Sequence, residues 1–365
     1  MLVVVTWSAV FVVIAVSFAL GHPLIPDPAL RRIDDWANAD WTRTRAALLV
    51  ASILGAYFLM IAVHESGHVL GGRLVGFRFQ SIRVGPVMVD RPFRLSLYAG
   101  PGALINGVAV TLPVTTDRLA RRAIGMVLAG PAANLVSGLV LLLLPVHKGL
   151  FAGLFITFSL ANGFSDLLPF EGRLGVSDGR RLGMLLRGGE RGERWLAVMK
   201  LSAELAAGAS PAAVSPDFLA KAIAVRDDSA DTVSGYAFAF TAALYQHDIA
   251  RAGQLLEVCL AYAGFAGAAM REALVSDTAV FTAKRLQRPD LARLWLADLP
   301  SNAQRPWLRS RVEVAILGAE GDRAGALRKL DDLEASLLKL PNATQRRLLS
   351  QQLPQWRAEL GRDSG

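Results

Sequence analysis

The stretch AALLVASILGAYFLMIAVHESGHVL, residues 46–70, runs through eighteen uncharged, mostly apolar residues and then meets His64, Glu65 and His68. Positions i and i+4 of an α-helix share one face. His64 and His68 can therefore aim ring nitrogens at a single tetrahedral Zn²⁺, with Glu65 beside it to take a proton from a zinc-bound water. Three solvated interfacial side chains are the alternative. Ionisable groups at membrane depth cost roughly 2.5–3.5 kcal/mol each on insertion scales and mark function, so the apolar setting favours the metal.

The rest of the composition agrees with that setting. Of 365 residues, 53% are hydrophobic and only 19% charged, and the apolar ones cluster in the first half. Residues 1–189 carry 17 Lys and Arg against 10 Asp and Glu, whereas residues 190–365 carry 22 against 21. The basic excess thus belongs to the apolar half, where it reads as membrane topology and contact with anionic lipid. No basic stripe interleaved with aromatics argues for nucleic acid, and none is expected as a partner. The one cysteine, Cys259, excludes an intrachain disulfide and fits a reducing compartment.

Four membrane spans are expected. Residues 2–20 lack a charge and nearly cross a hydrocarbon core; without a basic n-region they read as a retained helix rather than a cleaved signal. Residues 21–45 follow as a short interfacial helix or a plain connecting loop. The second span, 46–63, continues through the histidines to about Leu74. Alternation over 77–98, broken at Gly85-Pro86, predicts a membrane-associated β-hairpin. Residues 95–113, uncharged but rich in Gly and Pro, predict a re-entrant or protein-buried segment. Residues 123–146 and 149–168 form the third and fourth spans, antiparallel across a short connection. Eight Lys and Arg lie in 73–122, one lies in 145–149 and several follow residue 170. The positive-inside bias then places both termini in the cytoplasm.

Beyond residue 190 the pattern is soluble and helical. His247-Asp248-Ile249-Ala250-Arg251, Pro289-Asp290-Leu291-Ala292-Arg293 and Gly321-Asp322-Arg323-Ala324 share a turn motif between helices. They suggest tetratricopeptide-like pairs or a non-repetitive bundle, either one a surface for a cytoplasmic protein partner.

A hydrolytic zinc site takes a third protein ligand and leaves one position for water. Asp166, Glu171 and Asp178 crowd the end of the fourth span, the face on which the histidines end. Asp178, followed by Gly179, is the choice, because a residue without a side chain lets the backbone approach closely. Asp166 is the reserve ligand, and Glu171 reads as solvated. Asn134 and Asn162 are candidate amide donors for an oxyanion or for substrate positioning, or bridges between helices.

His64-Glu65-Ser66-Gly67-His68, then Arg73-Leu74-Val75-Gly76-Phe77, Val84-Gly85-Pro86, Ala129-Gly130-Pro131-Ala132-Ala133-Asn134, Leu167-Leu168-Pro169 and Ser177-Asp178-Gly179 together resemble the site-2 protease family of intramembrane zinc metalloproteases. The resemblance covers about residues 46–182. It implies one zinc ion held by His64, His68 and Asp178, Glu65 as catalytic acid and base, and a membrane-embedded β-hairpin. Asp166 stands where the family usually has Asn, and the 75–122 connection is too short for the PDZ domain of many relatives.

The expectation is a mainly α, polytopic membrane protein in three parts: 1–45, an N-terminal span and external segment; 46–189, a membrane-embedded protease core; and 190–365, a cytoplasmic α-helical domain. The expected function is zinc-dependent cleavage of transmembrane protein substrates within the bilayer, in regulated intramembrane proteolysis. An inactive membrane-anchored scaffold is the alternative. A composition rich in Ala, Arg, Gly and Leu points to a bacterial source, and so to the inner membrane as a multi-pass protein.

Overall fold

The computed structural model describes residues 43–91, 93–98, 106–144, 149–172, 175–300, 305–337 and 343–362. The expected first span, 2–20, and nearly all of the 21–45 segment lie outside the described residues. The chain is mainly helical with one small four-stranded antiparallel sheet. It divides into two compact units, described separately below.

Helix α1, Arg43–Leu74, has 32 residues, about 48 Å at 1.5 Å per residue. Ala56, Met60, His64, His68 and Gly72 are buried at intervals of four along it, which is one stripe of the helix. Large apolar residues off that stripe, among them Val50, Leu54, Leu59 and Leu70, are exposed. The helix ends where Gly76 takes φ +82, a left-handed conformation that costs glycine little. Arg122 then donates to the carbonyls of Val75 and Gly76 at 2.5 and 2.6 Å. A cation at a helix C-terminus is favoured there, so this arginine caps a helix as well as adding to the basic count.

Strands β1 (Phe77–Val84), β2 (Val87–Asp90), β3 (Arg94–Leu97) and β4 (Gly107–Pro113) form a sheet in the order β3-β2-β1-β4. The expected hairpin is its β1–β2 centre, turned at Gly85 with φ +56. Strand β4 lies antiparallel to β1 with Val84 opposite Gly107 and Phe77 opposite Pro113, so part of the expected re-entrant segment is an edge strand.

Helix α2 (Leu119–Leu143) and helix α3 (Leu150–Asp166) follow. Among the described residues, α1 and α2 are the two helices long and apolar enough to cross a membrane. With 17 residues, α3 reaches only about 25 Å. It stops because Pro169 disfavours helical backbone just before it. A two-residue hairpin, β5 (Glu171–Gly172) and β6 (Gly175–Val176), leads to helix α4 (Asp178–Arg187).

Helices α1 and α2 touch through small residues. A Cβ on Gly67 would lie 2.4 Å from the Ala129 carbonyl oxygen, and one on Gly71 would lie 2.2 Å from the Ala129 Cβ. Backbones this close pack by van der Waals contact without a layer of long side chains between them.

The second unit holds helices α5 (Glu190–Ala207), α6 (Pro216–Ile223), α7 (Ala230–Tyr245), α8 (Ile249–Ala261), α9 (Ala268–Lys284), α10 (Pro289–Asp298), α11 (Pro306–Ala319), α12 (Arg323–Ser336) and α13 (Ala343–Arg362). The three turn motifs fall at the starts of α8, α10 and α12. Each helix there begins with an N-cap, Asp248, Arg288 or Asp322. The residue before each cap is left-handed: His247, Gln287 and Gly321 at φ 62, 52 and 84. Asp248 and Asp322 accept from the backbone three residues on, at 3.1 and 2.8 Å, as N-caps do. Asp290 does not; it pairs with Arg288. Buried Arg194 ties this unit together, donating to the carbonyl of Val225, to Thr232 and to both oxygens of Asp227.

Candidate metal centre

The site is built from α1 outward. One helical turn separates His64 from His68, and their rings stand nearly perpendicular with centroids 4.8 Å apart. Their Nε2 atoms are 3.1 Å apart. Asp178, the first residue of α4, brings its Oδ2 to 3.3 Å from the His64 Nε2 and 3.0 Å from the His68 Nε2. Ser177 sets that carboxylate in place. Its hydroxyl donates to the Leu168 carbonyl and accepts from the Arg180 N–H, capping α4. Gly179 lets the cap sit where it does, since a Cβ there would be 2.0 Å from the Leu167 carbonyl oxygen.

His64, His68 and Asp178 form the one group of potential metal ligands found among the described residues. Their geometry suits zinc. A tetrahedron with bonds of about 2.0 Å has edges of about 3.3 Å, and the three donor atoms lie 3.0–3.3 Å apart. Their chemistry suits it as well. The His68 Nδ1 lies 2.9 Å from the Met126 carbonyl oxygen, which must accept, so Nδ1 carries a proton and Nε2 is free to present its lone pair. The Asp178 Oδ2 is buried without a conventional hydrogen-bond partner among the described residues. Lone pairs converging in a buried space repel one another unless a cation lies between them.

The other candidate residues take distinct places. Glu65 is buried on the same turn as His64, under strand β4. The Ala109 N–H donates to its carboxylate, and a Cβ on Gly107 would lie 2.4 Å from its Oε1. The Asp166 Oδ2 is 3.2 Å from the His64 Nε2, and its carboxylate accepts the Asp178 backbone N–H. Asp166 thus ties the end of α3 to the residue that carries the third donor. Asn134 is fully buried on α2 with Nδ2 3.3 Å from the His64 Nδ1. Asn162 is half-buried one turn before Asp166 on α3.

The model of peptidase family M50 matches residues 52–294. The chain belongs to peptidase family M50. No curated protein and no solved structure matches it. M50 peptidases are in general zinc-dependent, membrane-embedded metalloproteases, and the ligand group found here gives this member a place for the metal.

Two parts of this M50 centre escape a reading of side chains. The Met126 partner of His68 is a backbone carbonyl, which any residue supplies. Gly107 and Ala109 bear on Glu65 through backbone and through the absence of bulk. Ser177 had a visible signal, a Ser ahead of Asp-Gly at a helix start.

Proposed function

We propose that the chain is a polytopic intramembrane zinc endopeptidase that cuts transmembrane protein substrates. The observation that carries this reading is the convergence of the His64, His68 and Asp178 donors beside the buried carboxylate of Glu65. A bound zinc ion would supply Lewis-acid activation of water and of the scissile carbonyl. His64, His68 and Asp178 would hold it. Glu65 takes the proton of the attacking water and returns it to the departing amine. The Ala109 N–H keeps that carboxylate pointed at the site.

A substrate helix hides its peptide bonds in i to i−4 hydrogen bonds and has to unwind before it is cut. Strand β4 suits the opened segment. It is the last strand of the sheet among the described residues, it touches Glu65, and an extended chain can add to such an edge by backbone hydrogen bonding. Cleavage then favours segments that unwind easily, as regulated intramembrane proteolysis requires.

Helices α1, α2 and α3, with residues 2–20, would make four spans of a bacterial inner membrane with both termini cytoplasmic. The helices of 190–365 would meet a cytoplasmic partner. An inactive scaffold fits the intact ligand set and the intact Glu65 less well.

The test is zinc content together with cleavage of a single-pass substrate by full-length protein in detergent. Wild type should hold one zinc ion and cut. Glu65→Gln should keep the zinc and lose a factor of about 10²–10⁴ in rate. Equal cutting by both overturns the mechanism.

A further inference from the structure

We propose that Asn134 is a positioning residue for the metal centre, holding His64 in the tautomer and orientation that present its Nε2 to zinc. The inference rests on the zinc site proposed above. It departs from the expectation that Asn134 stabilises an oxyanion.

His64 turns its Nε2 toward His68 and Asp178. For that nitrogen to offer a lone pair in a neutral ring, Nδ1 must carry the proton and needs an acceptor. Asn134 is 0% exposed, and its amide nitrogen lies 3.3 Å from Nδ1. Its Oδ1 is buried without a partner among the described residues. Half a turn of the amide exchanges the two ends without changing the space the side chain fills. The oxygen then accepts the His64 Nδ1–H. An oxyanion donor would have to face the reacting atoms, whereas this amide sits at the opposite nitrogen of the ring.

His68 shows the same arrangement already made, with its Nδ1 against the Met126 carbonyl. Met126, Gly130 and Asn134 are all buried on α2 and spaced four residues apart, so they form a single stripe. At its centre Gly130 makes room, since a Cβ there would lie 2.3 Å from the His68 Nε2. One stripe of α2 thus serves both histidines of α1: acceptor, gap, acceptor.

The experiment measures zinc affinity by chelator competition on full-length protein in detergent, with wild type, Asn134→Leu and Asn134→Asp. Loss of a partner behind a metal-bound histidine lowers affinity about 10- to 100-fold, and Asn134→Leu should fall by that much. Asn134→Asp retains an acceptor and should stay within about threefold of wild type. Normal zinc affinity with lost cleavage in Asn134→Leu would make Asn134 a donor to the reacting group and overturn the proposal. An equal fall in both variants would show that the acceptor is not what matters, and overturns it too. A wild type that binds zinc without cutting defeats the protease reading alone.

Discussion

Replacing Gly130 by Ala sets two effects of opposite sign against each other. In a helix interior, Ala is favoured over Gly by about 1 kcal/mol, so the substitution should stabilise α2 if nothing lies near. Here the new Cβ would fall 2.3 Å from the His68 Nε2, 2.5 Å from its Cε1 and 2.8 Å from its Cδ2. Ordinary carbon contacts are about 3.5 Å, so the ring has to recede by about 1 Å. It cannot swing aside freely, because its Nδ1 is held by the Met126 carbonyl at 2.9 Å. Metal–ligand distances tolerate about 0.2 Å, and a 1 Å misplacement costs about 10²-fold in rate. The expected outcome is a zinc affinity lowered at least tenfold and cleavage lowered about 100-fold, measured by chelator competition and substrate turnover. Gly153→Ala on α3 is the control, since a methyl there meets no described atom within 4 Å. If Gly130→Ala keeps its zinc and cuts like wild type, the close approach of α2 to His68 is wrong.

Other expectations follow from the remaining contacts. Asp178→Asn should lose zinc. Asp166→Asn should keep it, because an amide oxygen still accepts the Asp178 N–H; zinc analysis showing the reverse would exchange the two roles. Arg194→Met should destabilise the second unit by about 1.5–3 kcal/mol, since it removes the buried partner of Asp227 but leaves Arg191 at 3.0 Å and the Ser229 and Thr232 hydroxyls, and a chemical denaturation curve reads the loss. The same pair sets a pH dependence. Burial alone would raise the Asp227 pKa, but hydrogen bonds from Arg194, Ser229 and Thr232 outweigh it and bring it down to about 2. A depressed carboxylate stabilises the fold above its unfolded pKa of about 4, and the contribution fades as pH falls toward 2. Wild type should therefore exceed Asp227→Asn in stability at pH 6 and converge with it near pH 2; a constant gap would contradict the assignment.

The histidine pair was readable because a four-residue interval has one geometric meaning on a helix, and charge in an apolar run has few innocent explanations. Asp178 was readable through the Gly179 that follows it and through the Ser177-Asp178-Gly179 run of the family resemblance. Strand β4 was not. Its residues, Gly-Val-Ala-Val-Thr-Leu-Pro, are nearly all apolar, so the alternation that marks a half-buried strand has nothing to alternate with. The turn motifs of the second unit were half readable. Asp248 and Asp322 cap their helices as their positions suggest, but Pro289 takes the first helical position and moves the cap of α10 back to Arg288. Asp290, which lines up with Asp248 and Asp322 in sequence, therefore lies two residues past the cap. Asn134 was readable as important and unreadable as to purpose, because an amide is both donor and acceptor and only its neighbour decides which is used.

The contact of Gly67 and Gly71 with Ala129 bears on how firmly the centre is held. Side chains that interdigitate can often re-seat in a second arrangement, but backbones in direct contact have nothing to re-seat. Sliding α1 along α2 would drive Ala129 into the helix it faces and pull His68 off the Met126 carbonyl. The α1–α2 pair is therefore the part of the centre least able to rearrange, and the positions of His64 and His68 relative to α2 are fixed by backbone rather than by rotamer choice.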